Sequence, residues 1–122
     1  MLSSEDFEAL VVEAVASMPE QILGYLRNVA ITVEVWPTPA HLARSRVGPG
    51  YTLFGLYEGI PLIRRDSGYN LVPPDRIPIF QGPIEQIFRT PEAIREQVRK
   101  TVLHEIAHHF GFDEREIRDL GY

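Results

Sequence analysis

The sequence contains no cysteine among its 122 residues. Disulfide bonds, thiolate metal ligands and a cysteine nucleophile are therefore excluded. Basic residues are also scarce, since 12 lysines and arginines face 17 aspartates and glutamates, which gives a formal net charge of −5. A protein that binds nucleic acid needs a basic face to neutralise phosphates, so this charge balance argues against nucleic-acid binding.

Long apolar runs are missing too, because no stretch approaches the ~20 residues needed to cross a bilayer. The first residues include the acidic Glu5 and Asp6, whereas a signal peptide begins basic and continues apolar. We therefore expect a cytoplasmic protein with no membrane partner. With 44% hydrophobic and 24% charged residues, and with no repeat or linker, the sequence predicts one globular domain over residues 1–122.

Hydrophobic periodicity predicts a helix at the start of the chain. Ser3 and Ser4 are good N-caps, and apolar residues then recur at three- and four-residue spacing until Pro19. A short second helical piece is expected at residues 20–26.

The middle of the chain is predicted to form a small sheet. Alternating apolar residues favour strands at residues 29–36 and 51–57. Residues 76–80 contain Pro78, which cannot donate to a ladder of hydrogen bonds, so we expect an edge strand or irregular structure there. Residues 37–50 are rich in proline without periodicity and are expected to form a loop.

A long helix is predicted at residues 91–110. Thr90 is a suitable N-cap, Pro91 suits the first helical position, and Gly111 supplies a C-terminal stop. An apolar row at four-residue spacing is expected to face the core; its members are Ile94, Val98, Val102, Ile106 and Phe110.

The end of this helix carries a metal-binding pattern. His104 and His108 lie one turn apart, so their side chains project from one face with Cβ atoms roughly 5–6 Å apart. That separation suits two imidazole nitrogens at about 2.0–2.1 Å from a shared zinc ion. Glu105 lies about 100° round the helix, where its carboxylate can reach a water on the metal without being a ligand.

The residues after the helix extend the pattern to HExxHxxGxxE. Gly111 allows a positive φ, so the chain can turn back beneath the metal and present a third ligand three positions later. Glu114 occupies that position and is the residue we favour. Asp113 is the alternative if the turn differs.

Chance remains an alternative to function at each of these positions, because an isolated HExxH occurs in some helices without metal. His109 is expected to be a buried or edge histidine, and His41 to be solvated within the proline-rich loop. Tyr57 is a candidate for stabilising an oxyanion, but nothing in the sequence selects it over the other tyrosines.

Three segments together resemble the minimal zincin-like metallopeptidase family. They are LFGLYEG at residues 53–59, DRIPIF at residues 75–80 and HEIAHHFG at residues 104–111. The resemblance implies an α+β fold in which a small mixed sheet packs against the active-site helix. It also implies that His104, His108 and Glu114 bind one zinc ion, that Glu105 is the catalytic base, and that an edge strand pairs with an extended substrate.

The leading functional hypothesis is hydrolysis of peptide bonds through a zinc-activated water, with a peptide or protein as substrate and Glu105 as general base. The alternative is a non-catalytic module in which zinc stabilises a surface that binds a peptide or protein. Both methionines precede the motif, so no methionine turn follows it, and only eight residues follow Glu114. An unidentified protein partner that completes the cleft is therefore a third hypothesis.

Overall fold

The computed structural model describes residues 1–45, 52–59 and 74–119, except for the side chain of Glu114. Helices surround a small sheet, as the α+β prediction requires. The elements are α1 (Ser4–Ala16), α2 (Glu20–Leu23), β1 (Val29–Glu34), α3 (Pro39–Ser45), β2 (Asp75–Phe80), α4 (Gln81–Ile87), α5 (Pro91–Phe110) and α6 (Glu114–Asp119). None of the helices within the described residues is both long and apolar enough to span a membrane.

The N-terminal helix begins as the capping pattern predicts. The Ser3 hydroxyl accepts a hydrogen bond from the Asp6 N–H at 3.1 Å, and the helix buries Phe7 and Val11 against the core. The second helical piece is also confirmed, as α2 followed by a 3-10 turn at Gly24–Leu26. These elements supply one wall of the core, against which α5 packs.

The described part of the chain contains one two-stranded sheet. β1 pairs with β2 in parallel, from Val29 opposite Asp75 to Glu34 opposite Phe80. On its other side β2 pairs antiparallel with residues 52–59, which we call the bridging segment. In this two-stranded sheet residues 76–80 form a regular edge strand, which is one of the two expected outcomes, and the bridging segment lies along its other side.

Pro78 fits inside β2 because the N–H and C=O groups of successive residues in a strand point alternately to its two sides, and therefore to different neighbouring segments. The Pro78 carbonyl accepts from the Leu56 N–H at 3.2 Å, so Pro78 faces the bridging segment and leaves the pairing with β1 intact. The missing proline N–H interrupts only the ladder with the bridging segment. That segment therefore makes isolated bridges at Gly55 and Glu58 instead of the regular strand predicted for residues 51–57, of which residue 51 lies outside the described part.

Part of the predicted loop at residues 37–50 is a helix, so this prediction is also wrong for α3. Thr38 caps the helix, because its hydroxyl accepts from the His41 N–H at 3.2 Å and its own N–H donates to His41 Nδ1 at 3.0 Å. Pro39 sits in the first turn, where a missing N–H costs nothing. His41 is 8% exposed, which corrects the expectation that it is solvated. Residues 46–50 lie outside the described residues.

The long helix α5 has the predicted bounds. The Thr90 hydroxyl accepts from the Ala93 N–H at 3.1 Å, and Gly111 ends the helix with φ of 79°. Four members of the predicted row are at most 2% exposed: Ile94, Val98, Val102 and Ile106. The fifth, Phe110, is 44% exposed, because the last turn extends past the core, where the rings of Tyr25 and Tyr57 lie against Phe110.

Candidate metal centre

The two motif histidines lie on the exposed face at the end of α5. His104 and His108 both have exposed side chains, and their ring centroids are 6.1 Å apart with planes inclined at 67°. They face solvent because the opposite face of the same turns carries Leu103, Ile106 and Ala107 into the core. The imidazole nitrogens are therefore accessible to an ion from solution.

The Glu105 side chain is hydrogen-bonded to the bridging segment. Its Oε1 accepts a hydrogen bond from the Tyr57 backbone N–H at 2.8 Å, which joins α5 to the bridging segment. Burial raises the pKa of the Glu105 carboxyl, while the Tyr57 N–H and the charges of His108 and His104 act to lower that pKa. One carboxylate oxygen is thus fixed beside the histidines by a backbone donor.

Tyr57 holds that donor in place through contacts of its own side chain. Its hydroxyl donates to Asp75 Oδ2 at 2.6 Å, and its ring stacks on His109 with centroids 3.8 Å apart and planes at 15°. Burial and the Asp75 carboxylate raise the pKa of the Tyr57 hydroxyl above its ordinary value. The hydroxyl proton is engaged by Asp75, so the structure gives Tyr57 an anchoring position instead of the oxyanion position considered from the sequence. His109 takes the edge position that was one of its two expected placements.

The turn after α5 separates the two candidates for the third ligand. The N–H groups of Gly111 and Phe112 both donate to the Ala107 carbonyl, which reverses the chain. Asp113 then caps α6: its Oδ1 accepts from the Glu116 N–H at 2.8 Å, and Glu116 Oε1 accepts from the Asp113 N–H at 3.3 Å. Asp113 is thus already used by the helix start.

Glu114 is the first residue of α6, and its side chain lies outside the described residues. Within residues 1–45, 52–59 and 74–119 no group of three histidine, aspartate or glutamate side chains is assembled around a single point that could hold a metal. The assignment of Glu114 as third ligand accordingly stays a prediction.

The chemistry of the described pair fits zinc. Two imidazoles on consecutive turns, with a carboxylate alongside and no sulfur, are the donors of an open zinc site. Among the described residues, the two histidines lie on an open surface. A concavity of about 680 Å³ lies at another part of the molecule, where Trp36, Phe88 and Ile94 are among its lining residues and no motif residue takes part.

Sequence reasoning missed a buried charged cluster behind the bridging segment. Glu58 is 8% exposed and its Oε2 accepts from Arg44 Nη1 at 2.7 Å. Its Oε1 lies 3.6 Å from Arg76 Nη2 and 3.7 Å from His41 Nε2. In the sequence Glu58 stands beside a glycine like any turn residue, and the only signal was its inclusion in the 53–59 segment.

The family profile of the zincin-like metallopeptidases matches residues 26–122, which is most of the chain and includes the motif helix. The chain belongs to the zincin-like metallopeptidase family. The sequence-based resemblance to a zincin-like family is thereby confirmed, and membership implies a metal-dependent peptidase as the general class. No curated protein matches the chain.

One solved structure with the family's fold is that of a conserved hypothetical protein from Thermus thermophilus. It is 22% identical in sequence, covers 89% of this chain and 94% of its own, and superposes with a TM-score of 0.53. At this identity the likeness concerns the fold alone.

Proposed function

We propose that this protein is a zinc-dependent peptidase in which His104, His108 and Glu114 hold one zinc ion and Glu105 is the general base. The observation that carries the proposal is the Glu105 carboxylate, held at 2.8 Å by the Tyr57 N–H and flanked by two exposed histidines. A purely structural metal site has no need of a fixed carboxylate that is not a ligand.

The third ligand is proposed to be Glu114 because Asp113 already caps α6. When bound, zinc would acidify a water molecule and polarise the scissile carbonyl. His104 and His108 would supply neutral imidazole nitrogens, and Glu114 a carboxylate oxygen.

Glu105 accepts a proton from the attacking water and later donates it to the leaving group. One of its oxygens is kept by the Tyr57 N–H, which leaves the other free to accept a proton as the water oxygen attacks the carbonyl carbon. Glu105 then delivers that proton to the amide nitrogen as the C–N bond breaks. The products are a carboxylic acid and an amine, and Glu105 returns to its starting state.

The substrate is proposed to be an extended peptide, as the family description implies. Because the side chains of His104 and His108 are exposed, a peptide in solution has direct access to both proposed zinc ligands. Such an open site excludes water poorly, so we expect a modest rate with short peptides and a higher one if a partner or a long substrate covers the site.

The test is cleavage of a diverse peptide library by the zinc-loaded protein, read by mass spectrometry. The Glu105→Gln variant, at the same zinc content, is expected to lose about 10²–10⁴-fold in rate because the proton acceptor is gone. Glu92→Gln is the matched control, since Glu92 is exposed at the opposite end of the same helix. It should cleave like the parent.

Zinc binding is tested separately by titration of the metal-free protein. His104→Ala and His108→Ala should each lower zinc affinity by more than about tenfold, because one of three ligands is removed. His109→Phe should leave that affinity unchanged, since His109 stacks on Tyr57 and a phenyl ring preserves the stacking. Zinc retained by the parent and Glu105→Gln, with no cleavage by either, would instead support the non-catalytic binding module.

A further inference from the structure

The bridging segment that orients Glu105 has an incomplete backbone ladder. Its backbone contacts with β2 among the described residues are the isolated bridges at Gly55 and Glu58 and four hydrogen bonds, with Arg76, Pro78 and Phe80, and Pro78 has no N–H to donate a further one. An extended segment held by so few backbone hydrogen bonds opens easily. Side-chain contacts must therefore contribute to fixing the Tyr57 N–H in front of Glu105.

Glu58 supplies such a contact immediately beside Tyr57. Its backbone exchanges two hydrogen bonds with Arg76, at 2.7 and 2.9 Å. Its side chain turns the other way, into a site where it is 7% exposed and accepts from Arg44 at 2.7 Å. A carboxylate this deeply buried is stable only while its charged partners remain in place, so Glu58 links the segment firmly to α3 and β2.

His41 closes the same cluster from α3. Its Nδ1 accepts the Thr38 N–H, so that nitrogen carries no proton and the N–H of the ring is at Nε2. Nε2 lies 3.7 Å from Glu58 Oε1 and 3.9 Å from Glu34 Oε2, and the ring packs on Phe80 with centroids 5.0 Å apart. The carboxylate of Glu58 is thus surrounded by three side chains that fix its direction.

We propose that Glu58 is a positioning residue for the reaction: its buried carboxylate, held by Arg44, Arg76 and His41, fixes the bridging segment so that the Tyr57 N–H holds Glu105 in its catalytic orientation. The proposal rests on the proposed role of Glu105. It assigns a function to a buried ion cluster that includes none of the proposed zinc ligands. The effect is transmitted through two adjacent residues, Glu58 and Tyr57.

The test uses hydrogen exchange of single amides in the full-length Glu58→Gln variant, followed by NMR with and without one equivalent of zinc. The Tyr57 amide should exchange at least about tenfold faster than in the parent, because its segment opens locally. The amide of Val102, in the middle of α5, should exchange at its parental rate. The ratio of the Tyr57 exchange rate to the Val102 exchange rate distinguishes local opening at Tyr57 from a general loss of stability.

Glu13→Gln is the matched control, since Glu13 also pairs with an arginine, at 3.0 Å from Arg95, but on the surface between α1 and α5. It should leave both amides unchanged. If Glu58→Gln does not fold, Arg44→Gln tests the same point, because Arg44 is 65% exposed and its removal leaves the other partners of Glu58. It should accelerate the Tyr57 amide in the same direction.

Activity gives a second readout once peptide cleavage is measured. Glu58→Gln should lower kcat by about tenfold while KM and zinc affinity stay within about twofold, as expected when only the transition-state geometry is loosened. The exchange experiment needs no activity, so it tests whether Glu58 fixes the Tyr57 N–H even if the parent cleaves no peptide. Unchanged exchange at Tyr57, or equal acceleration at Tyr57 and Val102, would overturn it.

Discussion

Two rows of side chains on α5 differ completely in their surroundings. Ile94, Val98 and Val102 are at most 2% exposed and pack against α1 and the sheet, whereas His104 and His108 face solvent. Burying each apolar side chain contributes on the order of 1.5–3 kcal/mol to folding, whereas exposed histidines contribute little until they bind a ligand. The comparison teaches that the residues of the core and the residues proposed to bind metal are placed on separate faces of one helix. A substitution can therefore change one and spare the other.

The largest expected effect comes from substituting one residue of each row and comparing the two variants. Ile94→Ala removes a buried side chain and should lower the free energy of unfolding by about 2–5 kcal/mol while leaving the zinc affinity of the folded protein unchanged. His108→Ala should do the reverse: in chelator its stability should stay within about 0.5 kcal/mol of the parent, and its zinc affinity should fall. Denaturant unfolding and zinc titration measure the two quantities. Equal destabilisation by both variants in chelator would show that the two faces are not independent.

An intermediate effect is expected at Gly111, where the helix of the buried row ends and the chain turns toward Glu114. Gly111→Ala meets no neighbouring atom but forces alanine to φ of 79°, which should cost about 1–2 kcal/mol. Gly24→Ala is the control, since Gly24 has φ of −60° and also has open space around it. There alanine should be neutral or stabilise by up to about 1 kcal/mol. Thermal unfolding of both variants checks the difference, and a Gly111→Ala variant as stable as Gly24→Ala would rule out a required left-handed turn.

The smallest stability effect, and the sharpest test of the third ligand, is at the start of α6. Asp113→Ala removes the cap and should cost about 1 kcal/mol, while zinc affinity stays within about twofold. Glu114→Ala should leave the cap intact and lower zinc affinity by more than about tenfold. Chelator-free zinc titration of the two variants measures this. The reverse outcome, with affinity lost only in Asp113→Ala, would assign the ligand to Asp113.

Features that depend on local sequence were predicted correctly. The bounds of α5 follow from Thr90, Pro91 and Gly111, whose capping roles involve only neighbouring backbone groups. The same holds for Ser3 at the start of α1. The exposed pair of histidines also follows from the helical period, since the opposite face was already apolar.

Features that depend on which segments meet were predicted poorly. That residues 76–80 are flanked on both sides, by β1 and by the bridging segment, could not be read from Pro78, because the cost of a missing N–H depends on which neighbour it faces. The helix α3 is an exception among the local features: it was missed in a proline-rich stretch although Thr38 and His41, only three residues apart, stabilise it by exchanging hydrogen bonds.

The sequence by itself determined the helix that carries the motif, the face on which His104 and His108 lie, and the family to which the chain belongs, because these rest on residue spacing of a few turns. Only the tertiary structure decided that Glu105 is held by the Tyr57 N–H, 48 residues earlier in the chain, and that Glu58 is buried behind it. The physical reason is that a hydrogen bond between distant segments, or the burial of a charge, exists only after the sheet and α5 have packed together.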